Sequence, residues 1–346
     1  MIIPFEKKYR KKFFKLLNNV FNGNFLSHGP MNKQFEKKFA EFTKLHTCTI
    51  SSGGAGLLAL LKYVNVSGKD VIVPTNNFMA GPMAVKLAGG NIIFADCKKE
   101  DLCLGLKKIK QVLTPKTKAI IIVHIGGHIA FDIFEIQKFC EKQGLYLIED
   151  CAHAHGAEYK GKSAGSFGIG GAYSFYATKT MPMGEGGMVV SRYKRVIDFV
   201  NQYKNYGKKE YLPGKFKYPI EGFNFRLSEI MAAFGIIQLE RLPKVLYWKR
   251  QLAQKYNKIF KNRVNFPQGM KSGFYKYIVF DHKNEIKETT GLVFEDLCHN
   301  LMEANGTFPN SEWISKNHKC LPIYYGWPYA KKSLQEIKNI IYGIKD

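Results

Sequence analysis

The strongest constraint on this chain is an alternation. Between about residues 45 and 195, short apolar runs rich in β-branched residues alternate with stretches of helical period. The runs fall at 47–51, 71–73, 92–95, 119–123 and 145–148, and the helical stretches at 54–64, 79–87, 104–112 and 133–142. This order predicts an α/β fold with a mostly parallel sheet covered by helices on both faces. Strands buried on both faces read as unbroken β-branched runs, as Ile120-Ile121-Ile122-Val123 does. In an open α/β sheet a ligand sits beyond the carboxyl ends of the strands. The chemistry is therefore sought around Ser52, Pro74, Asp96, His124 and Glu149-Asp150.

The flanks read differently. Residues 5–20 place Phe5, Tyr9, Phe13, Leu16, Leu17 and Val20 on one helical face and lysines on the other. That pattern fits a helix packed on its own domain, or a basic helix lying on a membrane surface. Residues 172–176 and 187–192 are two more short strands around a loop, 177–186, and a helix is expected at 228–242. After about residue 243 a strand at 275–280, a helix at 294–304 and a terminal helix at 333–344 predict a smaller C-terminal α+β domain. The expected division of the 346 residues is 1–242 and 243–346.

Composition excludes several classes. A hydrophobic share of 45% rules out a disordered or collagen-like chain. The longest nearly apolar stretch, 119–131, is too short to span a membrane and carries His124 and His128. The apolar start Met1-Ile2-Ile3-Pro4-Phe5 precedes Glu6 and a lysine run, the reverse of a secretory signal. Seven scattered cysteines without a C-x-x-C pair support neither a zinc knuckle nor a disulfide framework, and predict reduced thiols in a cytoplasmic protein. Lys+Arg is 52 against 28 for Asp+Glu, a net charge of +24. Such a charge suits nucleic acid, a membrane surface or an anionic small molecule. The excess is lysine spread over the whole length with no nucleic-acid module, so a solvated basic surface is expected, and neither nucleic acid nor a membrane as partner.

Three features point to chemistry. Ser51-Ser52-Gly53-Gly54-Ala55-Gly56 joins a strand to a helix. Such a turn offers backbone N–H groups and a helix N-terminus to an anion, or simply packs helix on strand. Leu147-Ile148-Glu149-Asp150-Cys151-Ala152-His153-Ala154-His155 ends a buried strand in a carboxylate followed by histidines. Asp150 there either faces a cofactor or caps the next turn. A metal site lacks an evident third ligand beside His153 and His155. Ser174-Phe175-Tyr176-Ala177-Thr178-Lys179-Thr180-Met181-Pro182-Met183-Gly184-Glu185-Gly186-Gly187 sets one lysine in an apolar, glycine-bounded loop. Partial desolvation there lowers the amine's pKa and makes it a nucleophile; a plain surface lysine is the alternative.

In this order and spacing the three segments resemble the sugar aminotransferases of the DegT/DnrJ/EryC1/StrS family, pyridoxal-phosphate enzymes of fold type I. The resemblance runs from about residue 26 to 242. It includes Ser27-His28-Gly29-Pro30, Val71-Ile72-Val73-Pro74 with Phe78, Val123-His124 before Gly126-Gly127, and Gly222-Phe223-Asn224-Phe225-Arg226-Leu227-Ser228-Glu229 followed by Ala232-Ala233 and Gln238-Leu239. It implies that Lys179 is the Schiff-base lysine and that Asp150 pairs with the pyridine nitrogen, making these two the catalytic residues. It also implies that Phe78 stacks on the ring and that His153 lies near the ring oxygen. The phosphate would be held by Gly53, Gly54, Ala55, Ser174 and, from a second subunit, Asn224. The expected assembly is thus a homodimer with a shared site. The chain departs from the family in carrying Gly54 where Thr is common, His153 where Gln is common, and Asn77 where a small hydroxyl residue is usual.

The implied reaction moves an amino group, from a donor such as glutamate, to a nucleotide-linked keto-sugar. The product is an amino-sugar for surface polysaccharide or glycan biosynthesis, and no metal is needed. Another cyclic ketone, such as a keto-inositol, is an alternative acceptor. A sugar-dehydrating sister group carries histidine in place of the lysine, which Lys179 argues against. A non-catalytic relative of the fold would have lost Lys179 or Asp150. Charge-driven nucleic-acid binding would weaken steeply with salt. In the divergent segment 306–327, Tyr324 and Tyr325 either contact substrate or pack at a domain surface.

Overall fold

The computed structural model describes residues 5–326 and 328–344; Trp327, at the end of the divergent segment, lies outside them, as do residues 1–4. From the N-terminus come α1 (Lys7–Phe21), α2 (Pro30–Thr43), β1 (His46–Ile50), α3 (Gly53–Val64), β2 (Asp70–Pro74), α4 (Ala80–Leu87) and β3 (Asn91–Ala95). There follow α5 (Leu106–Val112), β4 (Thr117–Val123), α6 (Ile133–Gln143) and β5 (Tyr146–Asp150). A small hairpin, β6 (Glu158–Tyr159) and β7 (Lys162–Ser163), leads to β8 (Gly170–Ser174) and β9 (Gly187–Ser191). Then come α7 (Lys194–Tyr203), the hairpin β10 (Lys209–Leu212) and β11 (Lys215–Lys217), and the long α8 (Glu229–Ile259). The chain closes with β12 (Met270–Lys271), β13 (Tyr277–Phe280), α9 (Cys298–Leu301), α10 (Pro309–Asn317), β14 (His318–Leu321) and α11 (Leu334–Tyr342).

The central sheet has seven strands in the order β1-β9-β8-β5-β4-β2-β3. Pairings from β8 to β3 are parallel, and only β9 opposes both its neighbours. The expected mostly parallel α/β sheet is thus the observed one. Ile120, Ile121 and Ile122 are fully buried, as their unbroken run requires of a strand covered on both faces. The main core joins the sheet to α2, α3 and the first half of α8. A second apolar cluster gathers Leu252, Tyr256, Phe274, Tyr277, Leu321, Ile337 and Ile341.

Two elements differ from expectation. The helix expected to stop at residue 242 runs on to Ile259 with Pro243 inside it. Proline removes a backbone donor and crowds the preceding turn, a cost of about 3 kcal/mol. Packing on both sides offsets it: Ile236, Leu239 and Leu242 sit in the main core, and Leu252, Ala253 and Tyr256 in the second cluster. The helix expected at 294–304 shrinks to the four residues of α9. Its backbone donors are spent elsewhere: Cys298 N–H on Thr75 O (2.8 Å) and His299 N–H on Thr75 Oγ1 (3.2 Å). Among the described residues no helix is long and apolar enough to cross a membrane. The lysine-faced α1 packs against α8 through the buried Tyr9 and Val20.

Candidate active site

The register of the sheet brings the three sequence features to one edge. Val123 lies opposite Asp150, Asp150 opposite Ala172, and Ser174 opposite Gly187. The glycine turn leaves β1 at the same edge and opens α3. Between β8 and β9 the lysine loop is closed by its own backbone. Phe175 N–H donates to Gly186 O (2.9 Å) and Met183 N–H to Phe175 O (2.7 Å). Gly184 and Gly186 take φ of 91° and 146°, where a side chain would strain the turn. Phe175, Met181 and Met183 are buried beneath the loop, and Gln238 of α8 donates to Pro182 O. Lys179 is thereby left half-buried. Burial lowers its amine to about 8, against the pull of the Asp150 charge, and Lys276 pushes it the same way as burial.

Asp150 is only 6% exposed. Its Oδ1 accepts the Ala152 N–H (2.9 Å), which is the turn-capping role; the same carboxyl also interacts with the Lys179 charge. Burial raises its pKa, opposed by the Ala152 N–H and by the charges of Lys179 and His124. Behind it, His124, Glu149 and Cys151 lie close enough to hold a metal ion. Their polar atoms are already committed. His124 Nε2 pairs with Glu149 (3.0 Å) while its Nδ1 accepts the Ala130 N–H (3.2 Å). Glu149 also accepts the N–H groups of Gly165, Phe167 and Gly168 (2.6–2.8 Å). This is a satisfied buried network rather than a vacant ligand set.

The glycine turn meets the end of β8. A Cβ on Gly53 would lie 2.9 Å from Ser174 Cβ, so only glycine permits this approach. Gly54 is different: the nearest atoms to a Cβ there are 3.6 and 3.9 Å away, so a side chain would fit. Ser52 caps α3, its Oγ accepting the Ala55 N–H (3.1 Å). Phe78 is 79% exposed beyond β2, its N–H held by Asn77 Oδ1 (2.7 Å). Asn77 Nδ2 is buried without a partner. Asn224 is exposed and does not join the other predicted site residues through any bond within this chain; its partners are Asn205, by a backbone bridge, and the Arg226 N–H.

A model of the DegT/DnrJ/EryC1/StrS aminotransferase family matches residues 7–341. The chain belongs to this family. Over 260 residues the aminotransferase is 37% identical to a GDP-perosamine synthase of Vibrio cholerae, a match spanning 74% of this chain and 70% of the relative. A dTDP-3-amino-3,4,6-trideoxy-alpha-D-glucose transaminase of Micromonospora megalomicea subsp. nigra is 30% identical over 99% of this chain and 98% of its own. A Streptococcus pneumoniae chain solved in its PLP-form shares the fold, with TM-score 0.86 and 20% identity, covering 99% of this chain and 97% of that one. Aminotransferases of this family depend on pyridoxal phosphate.

The residues of the aminotransferase fit that cofactor. One sheet edge presents an amine lowered to about 8, a buried carboxylate and a helix N-terminus pressed against Ser174. It also presents His153, whose buried Nδ1 has no partner and whose ring burial keeps neutral. One neighbour escaped sequence reasoning. Tyr275 stacks on His153 with ring centroids 4.1 Å apart and planes 21° apart. Nothing local distinguishes it, because Tyr275 reads as the first residue of an ordinary apolar strand. Tyr325, considered as a substrate contact, instead donates its hydroxyl to Glu6 Oε1 (2.8 Å) and packs on Trp248.

Proposed function

We propose that this aminotransferase takes an amino group from glutamate or a similar donor and places it on a keto-sugar carried by a nucleotide. The product is an amino-sugar for surface polysaccharide or glycan synthesis. The observation that carries the reading is the meeting of a half-buried amine near 8 with the buried Asp150 carboxylate. Pyridoxal phosphate held by these residues would supply the electron sink that makes the donor's α-carbon acidic. Lys179 would hold the cofactor through its amine, and its free amine would move the donor's α-proton as general base and general acid. An amine near 8 has both protonation states populated close to neutral pH, as both halves of that task need. Asp150 keeps the ring nitrogen protonated, and His153 offers its unpartnered nitrogen to the ring's polar edge. Phe78 covers one ring face. Ser174 and the N–H groups of Gly53, Gly54 and Ala55 would hold the phosphate, the last of these being the donor whose hydrogen bond Ser52 Oγ now accepts.

Asn224 completes the phosphate site from a second copy of the chain. Supporting this, Tyr206, Tyr211, Phe216, Tyr218 and Phe223 are all exposed along the segment that carries Asn224, an apolar surface suited to a partner. We assign residues 1–242 to the cofactor-binding unit and 243–346 to a smaller one. The seven free, buried cysteines accord with a cytoplasmic protein. The GDP- and dTDP-linked sugars in the relatives' names support a nucleotide-linked acceptor.

The test is an absorption spectrum of the protein with pyridoxal phosphate, before and after glutamate. A visible band that bleaches on adding glutamate, and returns with one member of a panel of GDP-, UDP- and dTDP-linked keto-sugars, is expected. A band restored by keto-inositols alone would move the acceptor outside nucleotide sugars. No Lys179-dependent band would sink the reading.

A further inference from the structure

The segment 272–276 enters the site from the second apolar cluster and is tied down on both sides. Ser272 Oγ and the Gly273 N–H both donate to Gly127 O (2.9 and 2.7 Å), and the Lys276 N–H donates to Gly126 O (3.0 Å). This approach requires glycine. A Cβ on Gly127 would lie 2.5 Å from Tyr275 N, and one on Gly273 2.1 Å from His155 O. From α8 the buried Lys249 donates its Nζ to Phe274 O (3.0 Å). These bonds fix the backbone before and after Tyr275, and its ring lands on the residues assigned to the chemistry. It stacks on His153 at 4.1 Å, Lys179 Nζ lies 4.9 Å from its centroid, and its hydroxyl is 3.4 Å from Thr178 Oγ1.

We propose that Tyr275 is a positioning residue, whose ring face seats the Lys179 amine on one side and fixes the plane of the His153 ring. The inference rests on the reading of Lys179 given above. The face of an aromatic ring is electron-rich and attracts an ammonium more than a neutral amine. Tyr275 therefore counters part of the burial that drives the amine towards its free form, and it holds Nζ over one spot. The groups that face Lys179 are Asp150 from the end of β5, His153 and His155 from the loop after it, and Tyr275 and Lys276 from the segment before β13. Of these, Tyr275 is the one that also stacks on His153. A single ring thus couples the amine to the histidine.

The experiment reads how fast the cofactor-free full-length chain captures pyridoxal phosphate at the visible band, across pH 6–10. Capture needs the unprotonated amine, so the Lys179-dependent midpoint reports its pKa. Tyr275→Leu keeps apolar bulk but removes the ring face, and should lower the midpoint by about half a pH unit or more. Tyr275→Phe keeps the face and should restore the wild-type midpoint. Thermal unfolding checks that each variant folds, and Tyr275→Met carries the same expectation if the leucine variant does not. An unshifted midpoint in Tyr275→Leu or Tyr275→Met, or an equal shift in Tyr275→Phe, overturns the inference while leaving Lys179 in its role. A wild-type chain with no Lys179-dependent band overturns the parent reading and this one together.

Discussion

At Lys179 both the residue type and the loop around it matter. The chain carries 52 lysines and arginines, and others are more deeply buried, Lys204 beside Glu36 and Lys249 among them; what marks Lys179 is a loop over Phe175, Met181 and Met183 that sets its amine at the end of the sheet within reach of the Asp150 charge. Lys179→Ala should abolish both the visible band with pyridoxal phosphate and transamination; retention of either would remove the residue from its assigned role. Asp150→Asn should leave thermal unfolding nearly unchanged and slow the single-turnover reaction with glutamate by orders of magnitude, because a neutral amide does not keep the ring nitrogen protonated. The glycine turn offers a sharper contrast between neighbours. Gly53→Ala drives a methyl to 2.9 Å from Ser174 Cβ and should lower stability by about 1–3 kcal/mol while weakening cofactor retention. Gly54→Thr meets nothing closer than ordinary contact at its Cβ and should fold as well as the parent chain, with cofactor retention equal or tighter. Denaturant unfolding and equilibrium dialysis separate the two outcomes.

At the scale of elements, α2 depends on a residue almost two hundred positions away. Its N-cap is Gly29, which has no side chain to offer the first turn. The buried Glu229 of α8 accepts the N–H groups of Gly29 (2.8 Å), Met31 (2.7 Å) and Asn32 (3.0 Å) instead. Helix N-termini carry unsatisfied donors and a partial positive charge, so a carboxylate there is both cap and counter-charge. Glu229→Ala should cost on the order of 3 kcal/mol in urea unfolding, since several buried donors lose their acceptor. The chain around Ser27-His28 and Asn224-Arg226 would be loosened with it, because the Ser27–Ser228 bridge lies beside this cap. Sequence patterning placed every strand of the central sheet within about two residues at each end, most plainly β4, where burial on both faces leaves an unbroken β-branched run. It missed the extent of α8 and α9, because what extends the one and shortens the other are contacts with distant segments.

Over the whole molecule, buried histidines set the acid limit of stability. Burial lowers His128 to about 4, with the Asp101 carbonyl pulling it up, and lowers His155 to about 3. Both lie below the value near 6.5 of an unfolded chain. Below about pH 6.5 the unfolded state therefore binds protons that the folded state refuses, and stability falls as pH falls, by up to about 1.4 kcal/mol per pH unit for each histidine. Asp101 acts in the opposite sense. Burial raises it to about 7 against the pull of Lys98, so it stays protonated in the fold where the unfolded chain has released its proton. Burial also lowers His28, His153, His299 and His318 and raises Asp150, so the histidines outnumber the opposing carboxylates and the net is a loss. The urea midpoint should drop between pH 6.5 and 5, and a midpoint that rises over that range would show the histidines to be charged in the fold.

The sequence by itself determined the sheet-and-helix architecture, and its resemblance to the family, more than any local pattern, singled out Lys179 and Asp150 as the residues to examine. The architecture follows from local properties, hydrophobic period and strand ends, which fix burial without reference to distant residues. Only the tertiary structure decided which of the turn's glycines is sterically required, that His124 and Glu149 form a closed network, and that Tyr275 lies against His153 and Lys179. Each of those depends on distances between segments far apart in the chain. Side-chain period says which face of a strand is buried; it carries no information about what the buried face meets.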